Sequence, residues 1–212
     1  DFDLTIGYQR RSLGIVQLAK KIISQNIFGQ LNKIFIEFGD LHYNFGGFRA
    51  NKKKAGGGIF LEAGSHWVDS ALFISNAKKI DNFKNKVKFN DGLDIHSEGS
   101  FDIYNSKNKL TICNFKFTCL ENTSNKIRFF FDNCTMDLFL FEDNSELIIN
   151  ADKKDQFDIK DISMQNFPNN SLSQGAAYWD EFINSYLNKK NSYTSINEFL
   201  LTTQIIELFY AK

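Results

Sequence analysis

The chain has 212 residues, 42% hydrophobic and 24% charged, a composition sufficient for a packed core. Its 25 basic and 25 acidic residues cancel, so it lacks the basic excess with which nucleic-acid binders neutralise phosphates. No apolar stretch reaches the roughly 18 residues of a membrane span, and no basic start followed by an apolar run reads as a signal peptide.

Residues 4–8 form a short apolar run that reads as a strand, and a chain opening on DFDLTIGYQRR without Met reads as an excised fragment. Over residues 12–26, Ile15, Leu18, Ala19, Ile22 and Ile23 recur at helical spacing, with Ser12 placed to cap the start and Gly29 to follow the end. Residues 31–38 alternate Ile34, Ile36 and Phe38 with polar neighbours, as a strand does, and the Gly-rich, basic stretch 43–55 reads as a loop. Residues 56–75 read as a second helix. Five β-rich runs follow, at 86–90, 101–104, 110–119, 126–132 and 134–141, separated by Asn, Asp, Ser and Gly. Ile112, Phe115 and Phe117 stand among polar residues in the third of these. Sequential strands without helices between them argue for an antiparallel sheet. Two helices close the chain, at about 173–188 and 195–210, the second with an apolar stripe that includes Phe199, Ile205 and Phe209.

There is no internal repeat, and Pro168 is the only proline, so residues 1–212 read as one domain. The class is α+β: a large, mainly antiparallel open sheet with helices packed on one face. The three cysteines, Cys113, Cys119 and Cys134, form no CxxC pair and have no neighbouring His, which fits reduced thiols in a cytoplasmic protein and no zinc site.

The segment AGGGIFLEAGSHWVD, residues 55–69, departs from this generic pattern. On a helix at about 100° per residue, Glu62, His66 and Asp69 share a sector of roughly 60°, with Phe60, Trp67, Ala71 and Ile74 opposite. A carboxylate four residues before a His can orient the imidazole and raise its basicity, as acid–base catalysis needs. A plain amphipathic helix with a wet polar face gives the same spacing and is the commoner origin. Two ligands without a third fall short of a metal set. The triple glycine either cradles phosphate at a helix N-terminus or lets backbone pack closely. Without GxGxxG spacing or a following Lys, close packing is favoured. His42 and His96 read as surface histidines, and Tyr178 and Trp179 as core or interface aromatics.

Three features in order resemble the second domain of Gfo/Idh/MocA oxidoreductases. These are IGYQRR (residues 6–11), the Gly-opened strand IFGQLNKIFIEF (27–38), and FRANKKKAGGGIFLEAGSHWVD (48–69), which is similar to the family signature GGGxLxDxGxHxxD. The closing YWDEFINSYL and SINEFLLTTQIIELFYA also resemble the family's last two helices. The resemblance implies a dihydrodipicolinate-reductase-like, glucose-fructose-oxidoreductase-like C-terminal domain for substrate binding and dimerisation, without the Rossmann domain that binds NAD or NADP. It implies hydride transfer to or from a sugar, nucleotide sugar or cyclitol, with this fragment inactive by itself. His66 becomes the catalytic candidate and Glu62, where the family more often has Asp, its neighbour. Arg10, Arg11 and Arg49 are placed near the cleft, Asp69 is set among the substrate-side residues with a structural role favoured, and a homo-oligomer forms through the sheet face. A non-catalytic sensor on the same fold and a stand-alone sheet domain for protein–protein contact are the alternatives.

Overall fold

Strand β1 (Leu31–Gly39) sends Ile34 and Ile36 to one side and Lys33, Phe35 and Glu37 to the other, and this period of two organises the layers. The computed structural model describes residues 6–140, 145–151, 173–190, 192–193 and 199–211. The other described strands are β2 (Ala77–Asn90), β3 (Leu93–Asn105), β4 (Leu110–Thr118), β5 (Lys126–Phe131), β6 (Cys134–Phe139) and β7 (Glu146–Ala151). They form one sheet in the order β2-β3-β4-β1-β5-β6-β7. Among the described residues only β1 and β4 pair in parallel, and every other pair is antiparallel. A parallel pair needs a crossover, and here the chain makes it through a helix and the β2–β3 hairpin before β4 returns beside β1.

On the inner face Ile36 sits between Phe115 and Ile127, and Ile34 between Cys113 and Phe129, all buried. Helices α1 (Gly14–Ser24), α3 (Ser65–Ile74) and α5 (Leu200–Tyr210) cover that face, contributing Ile22, Val68, Ile205 and Phe209 to the same core. Helix α4 (Gln174–Leu187) packs against the 3-10 turn Gln9–Ser12, and Ser173 caps it by accepting from the Ala176 N–H.

The outer face carries charges in strand order. Lys86, Glu98, Lys116, Glu37 and Lys126 are successive register partners across β2, β3, β4, β1 and β5. Lys126 lies 3.5 Å from Asp137 of β6. Leu110, Ile112 and Ile148 stand exposed on the same face. Of the apolar trio read together in β4, Phe115 and Phe117 point inward and Ile112 outward.

The α+β class, with helices on one face of a mainly antiparallel sheet, matches the sequence reading, and four local expectations do not. Ile6 to Tyr8 are not a strand; the chain turns there into the Gln9–Ser12 helical turn, because its side chains pack on α3 and not along a sheet edge (residues 4 and 5 lie outside the described residues). Ser12 does not cap α1: the cap position is Leu13, without a side-chain hydrogen bond, and the Ser12 hydroxyl is buried in the preceding turn. The stretch 43–55 holds two short helical pieces, Gly47–Ala50 and α2 (Lys52–Ala55), the second capped by the Asn51 side chain. β2 and β3 are far longer than read, since their polar outer residues hide the alternation, and β7 escaped notice. The first residues of the last helix as read, 195–198, and residue 141 lie outside the described residues.

The triple glycine has a packing cause. Gly56 ends α2 in the left-handed region at φ 79°, and Gly58 lies against β3 so closely that a Cβ would meet the Asp94 backbone oxygen at 2.1 Å. The buried Asp94 carboxylate accepts from the Gly58 N–H at 2.6 Å, the Phe60 N–H at 2.8 Å and the Tyr210 hydroxyl at 2.7 Å. Gly58→Ala is therefore expected to cost about 2 kcal/mol or more in urea unfolding, from overpacking and stretched buried hydrogen bonds. Gly46→Ala, where nothing lies within 4 Å, is the control, and equal midpoints for the two variants would refute the assignment.

Candidate functional site

Helix α3 begins abnormally. Phe60–Gly64 is a π turn, one residue wider than an α turn, and it runs directly into Ser65–Ile74. An insertion of this kind rotates the residues before it about the helix axis relative to those after it. Glu62 and His66, neighbours on an ideal helix, consequently have different partners. Glu62 takes Arg49 at 3.1 Å and the Tyr43 hydroxyl, whose proton the carboxylate holds and whose pKa burial raises. Among the described residues no hydrogen bond joins Glu62 to His66. Tyr43 packs edge-on against Phe38 and Phe45, so the loop carrying Arg49 is fixed to the end of β1.

His66 is the single residue of α3 that is not buried; the other nine, polar ones included, are. A wet polar face therefore does not exist on this helix. Burial of most of the imidazole, with the field of Arg10, pulls its pKa down from 6.5 to about 4. The ring is neutral at pH 7, an acceptor on one nitrogen and a donor on the other. Tyr8 stands edge-on to it, ring centroids 5.2 Å apart at 73°, and Arg10 lies over Trp67 at 4.4 Å.

Asp69, one turn on, is 1% exposed, as is Arg11. The two form a bidentate pair at 2.8 and 2.5 Å. Thr202 of α5 donates to the same carboxylate at 2.9 Å, and Arg11 also donates to the Tyr193 carbonyl at 3.0 Å. Arg11 and Asp69 are thus turned on one another and hold turn, α3 and α5 together. The family resemblance set Arg11 near the cleft and Asp69 among the substrate-side residues with a structural role favoured; the two are bonded to one another as a frame. Of the residues read from the sequence, His66 and Arg10 lie together, Glu62 and Arg49 form a second group, and Arg11 with Asp69 form the frame.

The sequence reading missed Tyr8 as a partner of His66, and also Tyr43, Asp94 and Tyr210. Asp94 has no local signal, since its amide partners lie 34 and 36 residues earlier. The Gly58 and Phe60 amides are engaged by a carboxylate, so these two donors are already used within the fold and favour the packing role of the glycine turn. Among the described residues no three His, Cys, Asp or Glu converge on a metal position, and no helix is long and apolar enough to cross a membrane.

Removing one member of the buried pair strands a charge. Asp69→Ala is expected to lower stability by about 3–5 kcal/mol, and the double variant Arg11→Met, Asp69→Leu by less, read from urea unfolding. A double variant no more stable than Asp69→Ala would overturn the frame role of the charge pair.

No family model matches the chain, and no match is found among curated proteins. Solved structures do match its fold. The aldose-aldose oxidoreductase from Caulobacter crescentus, complexed with glycerol, superimposes at a TM-score of 0.75 with 13% identity over 98% of this chain and 61% of its own. The WlbA dehydrogenase from Bordetella pertussis, in complex with NADH and UDP-GlcNAcA, gives 0.66 with 17% identity over 95% and 59%. A levoglucosan dehydrogenase in complex with NADH and levoglucosan gives 0.67 with 13% identity over 94% and 62%. The chain therefore has the fold of the sheet-bearing, C-terminal domain of Gfo/Idh/MocA-type oxidoreductases, and it spans 59% to 62% of the length of these three solved chains.

Proposed function

We propose that this chain is the substrate-binding half of a cytoplasmic nicotinamide-dependent oxidoreductase acting on a sugar, nucleotide sugar or cyclitol, its NAD or NADP held by a domain outside these residues. The observation that carries the reading is His66, the one group that an otherwise buried helix presents outward, neutral and beside a cation. When bound, the nicotinamide supplies or accepts the hydride. The chain's part is the proton: a neutral imidazole accepts it from the substrate hydroxyl during oxidation and returns it during reduction. Low basicity makes the protonated ring a strong donor, and Arg10 hastens proton release. Glu62, held by Arg49 and Tyr43, offers a carboxylate oxygen to a second hydroxyl. In the protein carrying both halves, His66→Gln is expected to lower kcat about 10²–10⁴-fold with the melting temperature kept. Turnover at the wild-type rate would remove His66 from the reaction.

The outer sheet face carries the second element of this reading, a dimer. Its charges run plus, minus, plus, minus, plus from β2 to β5, with Asp137 next. That series is antisymmetric about the seam between β4 and β1. A two-fold axis along the strands at the seam sets Lys116 over Glu37 of a second copy, and Glu98 over Lys126. Lys116→Glu and Glu37→Lys should each sediment as monomers, and their mixture as a heterodimer. A mixture that stays monomeric while the wild type dimerises would exclude this register.

A further inference from the structure

The segment Tyr8 to Arg11 reads along α3 residue by residue: Tyr8 meets His66, Arg10 lies over Trp67, and Arg11 binds Asp69. The last two contacts fix the segment on the helix. The first touches the candidate acid–base group itself. The Tyr8 ring leans on Phe199 as well, at 6.0 Å and 54°, so it is wedged between the start of α5 and the imidazole. Its hydroxyl is in hydrogen-bonding contact with the Ser65 side chain. Ser65 itself donates to the Leu61 carbonyl at 2.6 Å, and as a side-chain partner it lowers the pKa of the phenol. Burial and nearby Asp69 push the phenol up to about 12, and it keeps that proton at any working pH. The chain of contacts therefore runs from the π turn, through Ser65 and Tyr8, to His66.

We propose that Tyr8 is the positioning residue of His66, its near-perpendicular ring fixing the imidazole plane and closing one side of it to water, with Ser65 beside the phenol. A near-perpendicular ring at this distance holds the imidazole by packing, with no hydrogen bond to its ring nitrogens among the described residues. A hydrogen-bonding neighbour in the same place would occupy one of them. The charged groups around His66 are few: Arg10 from the turn, Asp69 on its own helix, already matched by Arg11, and Glu62 before the π turn, matched by Arg49. Phe199, just before α5, faces Tyr8, and Thr202 of α5 donates to Asp69. With those charges matched or fixed, exclusion of water is the property left to Tyr8 to control.

The test uses imidazole resonances of the 212-residue chain, with His42 and His96 as internal references. Tyr8→Phe keeps the ring edge and should leave the His66 titration within about half a unit of the wild type. Tyr8→Met fills the volume without the aromatic edge and should raise it by about one unit or more toward the free value, His42 and His96 being unmoved. A His66 titration unchanged in Tyr8→Met overturns the proposal, as does a Tyr8→Phe shift equal to that of Tyr8→Met. If Tyr8→Met unfolds, Tyr8→Leu gives the same comparison. Only the kinetic arm rests on the functional reading above: in the two-domain protein the acid limb of the kcat–pH profile should move with the titration. A titration that moves while the limb stays put upholds Tyr8 and removes His66 from the chemistry.

Discussion

The position of His66 depends on a salt bridge it does not touch. Arg11 and Asp69 lie fully inside the protein, where two unpaired charges would each cost several kcal/mol of lost hydration. Bidentate geometry and the added donor from Thr202 satisfy most of the carboxylate. Such a pair tolerates little displacement, because its energy falls off as soon as either group turns. It joins three pieces far apart in sequence: the turn before α1, the middle of α3 and the start of α5. With those fixed, Tyr8 three residues before Arg11 and His66 three residues before Asp69 are brought face to face. A less polar contact would hold the helices together as well, but it would specify their rotation less sharply.

A second carboxylate does for the start of the site helix what Asp69 does for its middle. Asp94 receives two backbone amides and a phenol, and it sits where Gly58 leaves no room for a side chain. The helix is therefore anchored at both ends of the stretch 58–69, with a π turn between the anchors. That extra width sends Glu62 toward Arg49 and Tyr43 while His66 faces Tyr8 and Arg10. One helix thus presents two chemically different positions: a carboxylate paired with an exposed cation, and an imidazole kept neutral by burial.

How much of this the sequence reveals depends on the range of the forces involved. Periods of two and 3.6 are local, so β1 and α1 are legible from Ile34 and Ile36 and from the Ile15 to Ile22 stripe, and α4 is read at about 173–188. β2 is legible only over 86–90, because the lysines and asparagines of its earlier part hide the alternation. α3 misleads for the opposite reason. Its polar residues suggest a solvated face, yet Asp69 and Ser70 are buried, Asp69 because partners from α5 and the preceding turn satisfy it and Ser70 because it donates back to the His66 carbonyl. The motif marks His66 as unusual, but its partner Tyr8 is hidden in a short apolar run that reads as a strand.

The parallel pair at the centre explains why the site lies where it does. β1 and β4 run in the same direction, so their carboxyl ends, Gly39 and Thr118, finish side by side and the loops after them diverge from one edge. The Asp40 N–H bonds the Thr118 carbonyl, and the Thr123 N–H bonds the Gly39 carbonyl, which ties the two loops together at their roots. The first of these loops then carries Tyr43 and Arg49 to Glu62. In an all-antiparallel sheet neighbouring strands end on opposite edges, and these two loops would not start side by side. One reversed strand order thus gathers on one end of the sheet the groups that the inner face buries everywhere else, and leaves the outer face, with its alternating charges, available for a different contact.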